Sequence, residues 1–100
     1  MLSRSVISEF DRKRLEREWK ESEKARSRAV MLLERSAAEA LLDYLDHELP
    51  KQGCDHSLRL TNAWAVRAGV AAPALAMSLE QFGGFCDCEV LANVDPETIY

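Results

Sequence analysis

This sequence of 100 residues lacks a long apolar run. No stretch approaches the roughly 18 consecutive apolar residues of a membrane span, so a membrane protein is not expected. The segment Met1–Arg17 is rich in basic side chains but has no apolar core of the kind found in secretory signals, which predicts a cytoplasmic protein. Cysteine is scarce as well, and three cysteines, an odd number, do not suit a disulfide framework.

Glycine and proline are absent from Ser8 to Leu33, where Lys, Arg, Glu and Ala dominate. Such a composition has high helix propensity and predicts one long helix. Its few apolar residues do not repeat in heptads, so a long coiled coil is not predicted. We expect a projecting helix that is anchored near its end and at Trp19. The predicted organisation is a charged helical extension over residues 1–35 and a compact metal-binding domain over residues 36–100.

Several common catalytic signatures are also missing. The chain has neither the zinc-deaminase motifs nor an H-E-x-x-H, P-loop or G-x-S-x-G motif, which favours a protein that is not an enzyme. The formal net charge is −4, but residues 1–35 hold ten basic and seven acidic side chains, whereas residues 36–100 hold three and ten. An acidic body opposes extensive nucleic-acid binding, so the expected partner is another protein. The sequence carries no signal for the oligomeric state.

The body contains three segments with helical signals. Ser36 and Glu39 have capping-box spacing, and the apolar face that follows them predicts a helix that Pro50 and Gly53 terminate. Ser57 is the predicted N-cap of a helix that reaches Ala68. A further helix is predicted between Pro73 and Gly83, where Leu75, Leu79 and Phe82 share one face.

The segment after Gly83-Gly84 has a different pattern. Cys88, Val90 and Ala92 alternate with other residues, which predicts a short strand or ribbon, and the tail from Asp95 to Tyr100 is expected to be frayed. The predicted fold class is therefore α+β and mainly helical. It has a long N-terminal helix, about three helices in the body and a short β ribbon.

Two short clusters, Cys54-Asp55-His56 and Cys86-Asp87-Cys88, hold every cysteine and one of the two histidines. Thiolate and imidazole are the ligands that zinc prefers, and a closed site needs about four of them. The candidate ligands are Cys54, His56, Cys86 and Cys88. Residues two apart in an extended segment are separated by almost 7 Å, so each cluster must curl, and the neighbouring glycines permit this. The other histidine, His47, is expected on the surface.

Three thiolates and one imidazole would close a zinc tetrahedron, which favours a structural Zn²⁺ ion over a catalytic one. In the simplest alternative the cysteines are small buried apolar residues. In two others the chain is a thiol-based redox sensor, in which Cys86 pairs with Cys88 or Cys54, or a small hydrolase with water as one metal ligand. Asp55 and Asp87 either accept hydrogen bonds around the metal or, respectively, cap the following helix and face the solvent.

The two motifs also carry a family resemblance. The runs Cys54-Asp-His-Ser-Leu-Arg-Leu-Thr61, with an aromatic residue at Trp64, and Gly83-Gly-Phe-Cys-Asp-Cys-Glu-Val-Leu-Ala-Asn-Val94 resemble small bacterial proteins known as domain of unknown function 2695. The resemblance runs from about Ala40 to Val94 and leaves the first 35 residues as an extension. It implies a bacterial source and a compact domain, and it implies no activity.

Overall fold

Six helices follow one another in residues 9–100, the part of the chain that the structure describes. The structure is a computed structural model, and its side chains are described from Arg12 onward. The helices are α1 (Glu9–Val30), α2 (Arg35–Gln52), α3 (Arg59–Ala68), α4 (Ala72–Glu80), α5 (Asp87–Asn93) and α6 (Pro96–Ile99). Within residues 9–100 there is no strand, so the predicted α+β class is wrong and this part of the protein is all helical.

The predicted long helix is confirmed as α1, which has 22 residues. Among its described side chains only Lys24 and Ser27 are half-buried, and the others are exposed. The C-terminal half of α1 packs against α6, while Trp19 is 61% exposed at the edge of a groove that Phe82 and Ile99 also line. The described part of the chain is elongated, with a longest dimension of 60 Å. No helix in residues 9–100 is long and apolar enough to span a bilayer.

A buried serine of α4 holds the end of α1. The hydroxyl of Ser78 donates to the carbonyl of Val30 and accepts from the backbone N–H of Leu32, with 2.8 Å for each hydrogen bond. The Val30 carbonyl is one of the groups that a helix end leaves without an intrahelical partner. Met31 and Leu33 are buried beside this contact. Ser78 therefore fixes the connection between α1 and α2 against α4.

The core lies among α2, α3, α4 and α5 and also includes Ile99 of α6. The predicted apolar faces of α2 and α4 are confirmed, because Leu41, Leu45, Leu75 and Leu79 are fully buried. The predicted capping box is not formed. The N-cap residue of α2 is Glu34, two residues before the predicted Ser36, and the Ser36 hydroxyl donates to the Glu34 carboxylate.

Helix α2 also continues past the predicted terminator, Pro50, and runs to Gln52. Gly53 ends the helix with a φ of 73°, a conformation that favours glycine. Helix α3 agrees with the predicted third helix, although it begins at Arg59 and no side-chain hydrogen bond from its N-cap residue closes its start.

The predicted β ribbon over Phe85–Val94 is wrong, because this segment forms α5. The alternation of apolar residues concealed a helical spacing, in which Cys86, Val90 and Val94 lie four residues apart and are all buried. The reversal before α5 depends on Gly83, which has a φ of 81°. The backbone N–H of Gly84 bonds to the Leu79 carbonyl at 2.9 Å and closes the end of α4.

The tail was expected to be frayed, but it forms α6. The Asp95 carboxylate accepts a hydrogen bond from the backbone N–H of Glu97 at 3.0 Å and caps this short helix. Ile99 is buried in the core, and the Tyr100 hydroxyl donates to the Leu33 carbonyl at 2.6 Å. The tail therefore packs against the segment that joins α1 and α2.

Candidate metal centre

The first cluster lies in the tight connection between α2 and α3. His56 has a φ of 68°, a left-handed conformation that is uncommon for residues other than glycine and costs about 1–2 kcal/mol. The backbone N–H of His56 faces the Cys54 sulfur at 3.4 Å. The predicted curl is thus present, and it brings the Cys54 sulfur and a ring nitrogen of His56 within 4.8 Å of each other.

The second cluster lies at the start of α5. Cys86 has an extended backbone and is the N-cap residue, whereas Asp87 and Cys88 belong to the first turn. This change of backbone conformation allows the Cys86 and Cys88 sulfurs to approach to 3.3 Å. Cys86 is buried and Cys88 is exposed, so the pair extends from the core to the surface.

The two clusters meet in space. One ligand atom each from Cys54, His56 and Cys86 lies within 4.8 Å of the other two, and Cys88 is close to this group through its sulfur contact with Cys86. A tetrahedral zinc ion would hold two sulfurs about 3.8 Å apart, and a sulfur and a nitrogen about 3.6 Å apart. For Cys54, His56 and Cys86, shifts of about an ångström would convert the observed spacing into that of a ligand set. The four residues lie close together and could bind a metal.

Hydrogen bonding within the cluster makes its thiols unequal. The backbone N–H groups of Cys88 and His56 lower the pKa of the Cys54 thiol, because they stabilise its thiolate. Contact with the sulfur of Cys86, and then with that of Cys54, raises the pKa of Cys88 to about 12. A divalent cation stabilises the thiolate form of the cysteines that bind it. Metal binding here would release protons.

Asp87 lies between the two cysteines of its cluster and is 0% exposed. Its carboxylate accepts hydrogen bonds from the backbone N–H groups of Leu60 and Thr61, each at 2.9 Å, and from the Thr61 hydroxyl at 2.7 Å. The backbone N–H of Asp87 donates to the Ser57 carbonyl at 3.0 Å. Of the two alternatives for Asp87, the one in which it faces the solvent is therefore wrong. It caps α3 from a distant part of the chain and joins the two clusters.

Asp55 has a local role. Its carboxylate accepts hydrogen bonds from the backbone N–H and the hydroxyl of Ser57, and it lies 3.5 Å from the Arg59 guanidinium. The hydrogen bonds from Ser57 lower the pKa of Asp55. Asp55 therefore stabilises the turn that contains His56, while the start of α3 is capped by Asp87.

The predicted ligands Cys54, His56, Cys86 and Cys88 are all at this site. His47, the histidine that was expected on the surface, is exposed, and its Nε2 atom lies 2.9 Å from the Lys51 ammonium nitrogen. Sequence reasoning missed the capping role of Asp87. Its backbone partners are 26 and 27 positions away, so no local pattern could have indicated them.

Comparison with known proteins agrees with the resemblance of the two motifs. The family described as "Protein of unknown function (DUF2695)" matches residues 41–93. The chain is 39% identical over 82 residues to uncharacterised proteins of Mycobacterium tuberculosis (Rv2271) and Mycobacterium bovis (Mb2294). The alignment covers 82% of this chain and 83% of each relative. No solved structure matches the chain.

Proposed function

Because the chain belongs to the DUF2695 family, whose description assigns no activity, we propose its function from the candidate metal centre. The protein is a small bacterial, zinc-stabilised and non-enzymatic interaction module. The observation that carries this proposal is the convergence of three thiols and one imidazole from two segments that are distant in the sequence, the connection between α2 and α3 and the start of α5. Soft thiolate ligands with imidazole select zinc over hard cations such as magnesium or calcium.

The proposed zinc ion is structural. Four protein ligands complete a tetrahedron and leave no position for a substrate or a reactive water. The ion would join the connection between α2 and α3 to the start of α5, which are the same two segments that Asp87 joins. Because such a site is not preformed in the unfolded chain, the free energy of metal binding would add to the free energy of folding. Small domains often need this kind of support, since their cores contribute only a few kcal/mol.

Metal analysis of the purified protein tests the proposal. We expect about one zinc ion per chain, and loss of it in Cys54→Ser, His56→Ala, Cys86→Ser and Cys88→Ser variants. His47→Ala is the matched control, because His47 is an exposed histidine outside the site. Verified removal of zinc should lower the melting temperature and change the near-UV circular dichroism spectrum. Retention of both properties by the metal-free protein would contradict a structural site.

The proposed interaction surface is α1. A helix whose described side chains are almost all exposed contributes little to the core, yet it presents Leu15 and Trp19 to the solvent one turn apart. Exposed aromatic residues surrounded by charges are typical of protein-binding surfaces. Residues 12–17, which flank Leu15, hold four basic side chains and one acidic side chain, and this short basic stretch suits an acidic protein partner.

Crosslinking in bacterial cells tests this part of the proposal. We expect a protein that crosslinks to the natural chain and is lost with the double variant Leu15→Ser and Trp19→Ser. Val66→Ser is the matched control, because Val66 is a large apolar residue that is 74% exposed on α3. The same crosslinked proteins in all three samples would exclude α1 as the binding surface.

A further inference from the structure

We propose that Cys86 and Cys88 form an oxidation site, at which a peroxide converts the two thiols into a disulfide and withdraws two ligands from the metal centre. The release of metal rests on the proposed function, whereas the formation of the disulfide does not. The inference gives the candidate metal centre a regulated, reversible state.

The geometry of the pair carries this inference. The sulfurs of Cys86 and Cys88 are 3.3 Å apart, so they need to approach by about 1.3 Å to reach the bond length of a disulfide. Asp87 is in helical conformation between them. This places the Cα atoms of the two cysteines about 5.4 Å apart. Disulfides require Cα separations of roughly 4.4–6.8 Å, so the bond can form with the backbone of α5 in place.

The environment gives the two sulfurs different roles. Cys88 is exposed and can meet an oxidant from the solvent, whereas Cys86 is buried and can react only with a neighbour. Asp87, between them, accepts three hydrogen bonds from α3, which hold the segment that carries both cysteines in place. A reversible oxidation site combines solvent access, a thiolate and a neighbouring thiol that resolves the sulfenic acid. Cys88 and Cys86 supply the exposed sulfur and its neighbour, and metal coordination, which deprotonates a thiol, would supply the thiolate.

The chemistry balances with hydrogen peroxide as a two-electron oxidant. The Cys88 sulfur attacks one peroxide oxygen, the O–O bond breaks, and the sulfur becomes a sulfenic acid as the first water leaves. The Cys86 sulfur then attacks the Cys88 sulfur. The S–S bond forms, the S–O bond breaks, and the departing hydroxide takes a proton to become the second water. The sulfur pair has lost two electrons, the peroxide has gained them, and a thiol reductant reverses the change.

Peptide mapping of the peroxide-treated protein tests the pairing, because trypsin separates the cysteines. Cleavage after Lys51 and Arg59 gives a peptide that contains only Cys54, and cleavage after Arg67 gives a peptide that ends at Tyr100 and contains Cys86 and Cys88. After alkylation of free thiols we expect the second peptide to carry no alkyl group. Its mass should be that of the unalkylated dithiol peptide minus two hydrogen atoms. The Cys54 peptide should be alkylated. A chromogenic chelator should record about one metal ion released per disulfide.

Other results overturn the inference. A disulfide that joins the two peptides assigns the reaction to Cys54, and sulfinic acid without a disulfide removes the proposed reversibility. The metal-free protein receives the same treatment. If the protein contains no metal as purified and still forms the disulfide between Cys86 and Cys88, the oxidation site is supported while the proposed zinc function fails. Intact thiols in both preparations refute the oxidation site. Cys88→Ser should leave Cys86 reduced at the same peroxide concentration.

Discussion

Removal of the Asp87 carboxylate should destabilise the protein far more than its position between two candidate ligands suggests. Asp87→Ala leaves the buried backbone N–H groups of Leu60 and Thr61 without acceptors. Each such group costs about 1–3 kcal/mol, and the negative charge at the start of α3 is lost as well. We expect the free energy of unfolding to fall by about 3–4 kcal/mol. For a domain of this size, this corresponds to a melting temperature lower by roughly 12–30 °C.

The measurement is urea denaturation followed by far-UV circular dichroism, at saturating zinc and again after chelation. Asp87→Asn should lose about half as much stability as the alanine variant, because the amide oxygen still accepts one hydrogen bond, and it covers the case in which Asp87→Ala does not fold. Asp55→Ala is the matched control. Its carboxylate is exposed and serves only the local turn, so its unfolding midpoint should stay close to that of the natural chain.

The two metal conditions separate capping from metal binding. If Asp87 acts as the cap of α3, Asp87→Ala should be destabilised in the presence and in the absence of zinc. A loss below about 1 kcal/mol in the metal-free protein would refute this reasoning, since the hydrogen bonds to Leu60 and Thr61 need no metal.

Three further predictions concern other parts of the molecule. Gly84→Ala should cost about 1–3 kcal/mol in thermal melts, since the new Cβ would lie 2.8 Å from Val90 Cγ2 and 3.2 Å from the Leu79 carbonyl oxygen; an unchanged melting temperature would contradict this packing. Burial raises the pKa of Tyr100, so its contribution to stability is complete below about pH 10 and is lost as pH rises through the folded-state pKa; Tyr100→Phe should remove this part of the pH dependence in urea titrations. A cobalt-substituted protein should show a tetrahedral absorption spectrum that added anions do not alter, whereas an anion-dependent spectrum would indicate an open coordination position.

The sequence predicted the long helix, the apolar faces of α2 and α4, and the group of four candidate ligands. These features follow from local composition, helical spacing and the small number of cysteines, all of which can be read along the chain. The β ribbon was wrong because a segment of seven residues shows a period of two and a helical period equally well. Only the packing of Val90 and Val94 against the core distinguishes the two.

Contacts between residues that are far apart in the sequence account for the other features that the sequence did not predict. Ser78 is a polar residue in an apolar helix, and its partners Val30 and Leu32 are 48 and 46 positions away. The expectation of a frayed tail was wrong because Ile99 and Tyr100 pack against residues that lie elsewhere in the chain. Burial and pairing of this kind depend on the assembled fold, so they cannot be read from local patterns.

The contact of Ser78 with the end of α1 also has a mechanical consequence. At about 1.5 Å per residue, the 22 residues of α1 form a lever about 33 Å long. The pivot of this lever is at Val30, where Ser78 holds the last carbonyl. A tilt of about 10° at the pivot would move the far end by roughly 6 Å. A rearrangement of α4 beneath Ser78 that also released the contact of α1 with α6 would therefore move Leu15 by roughly 4 Å and Trp19 by roughly 3 Å.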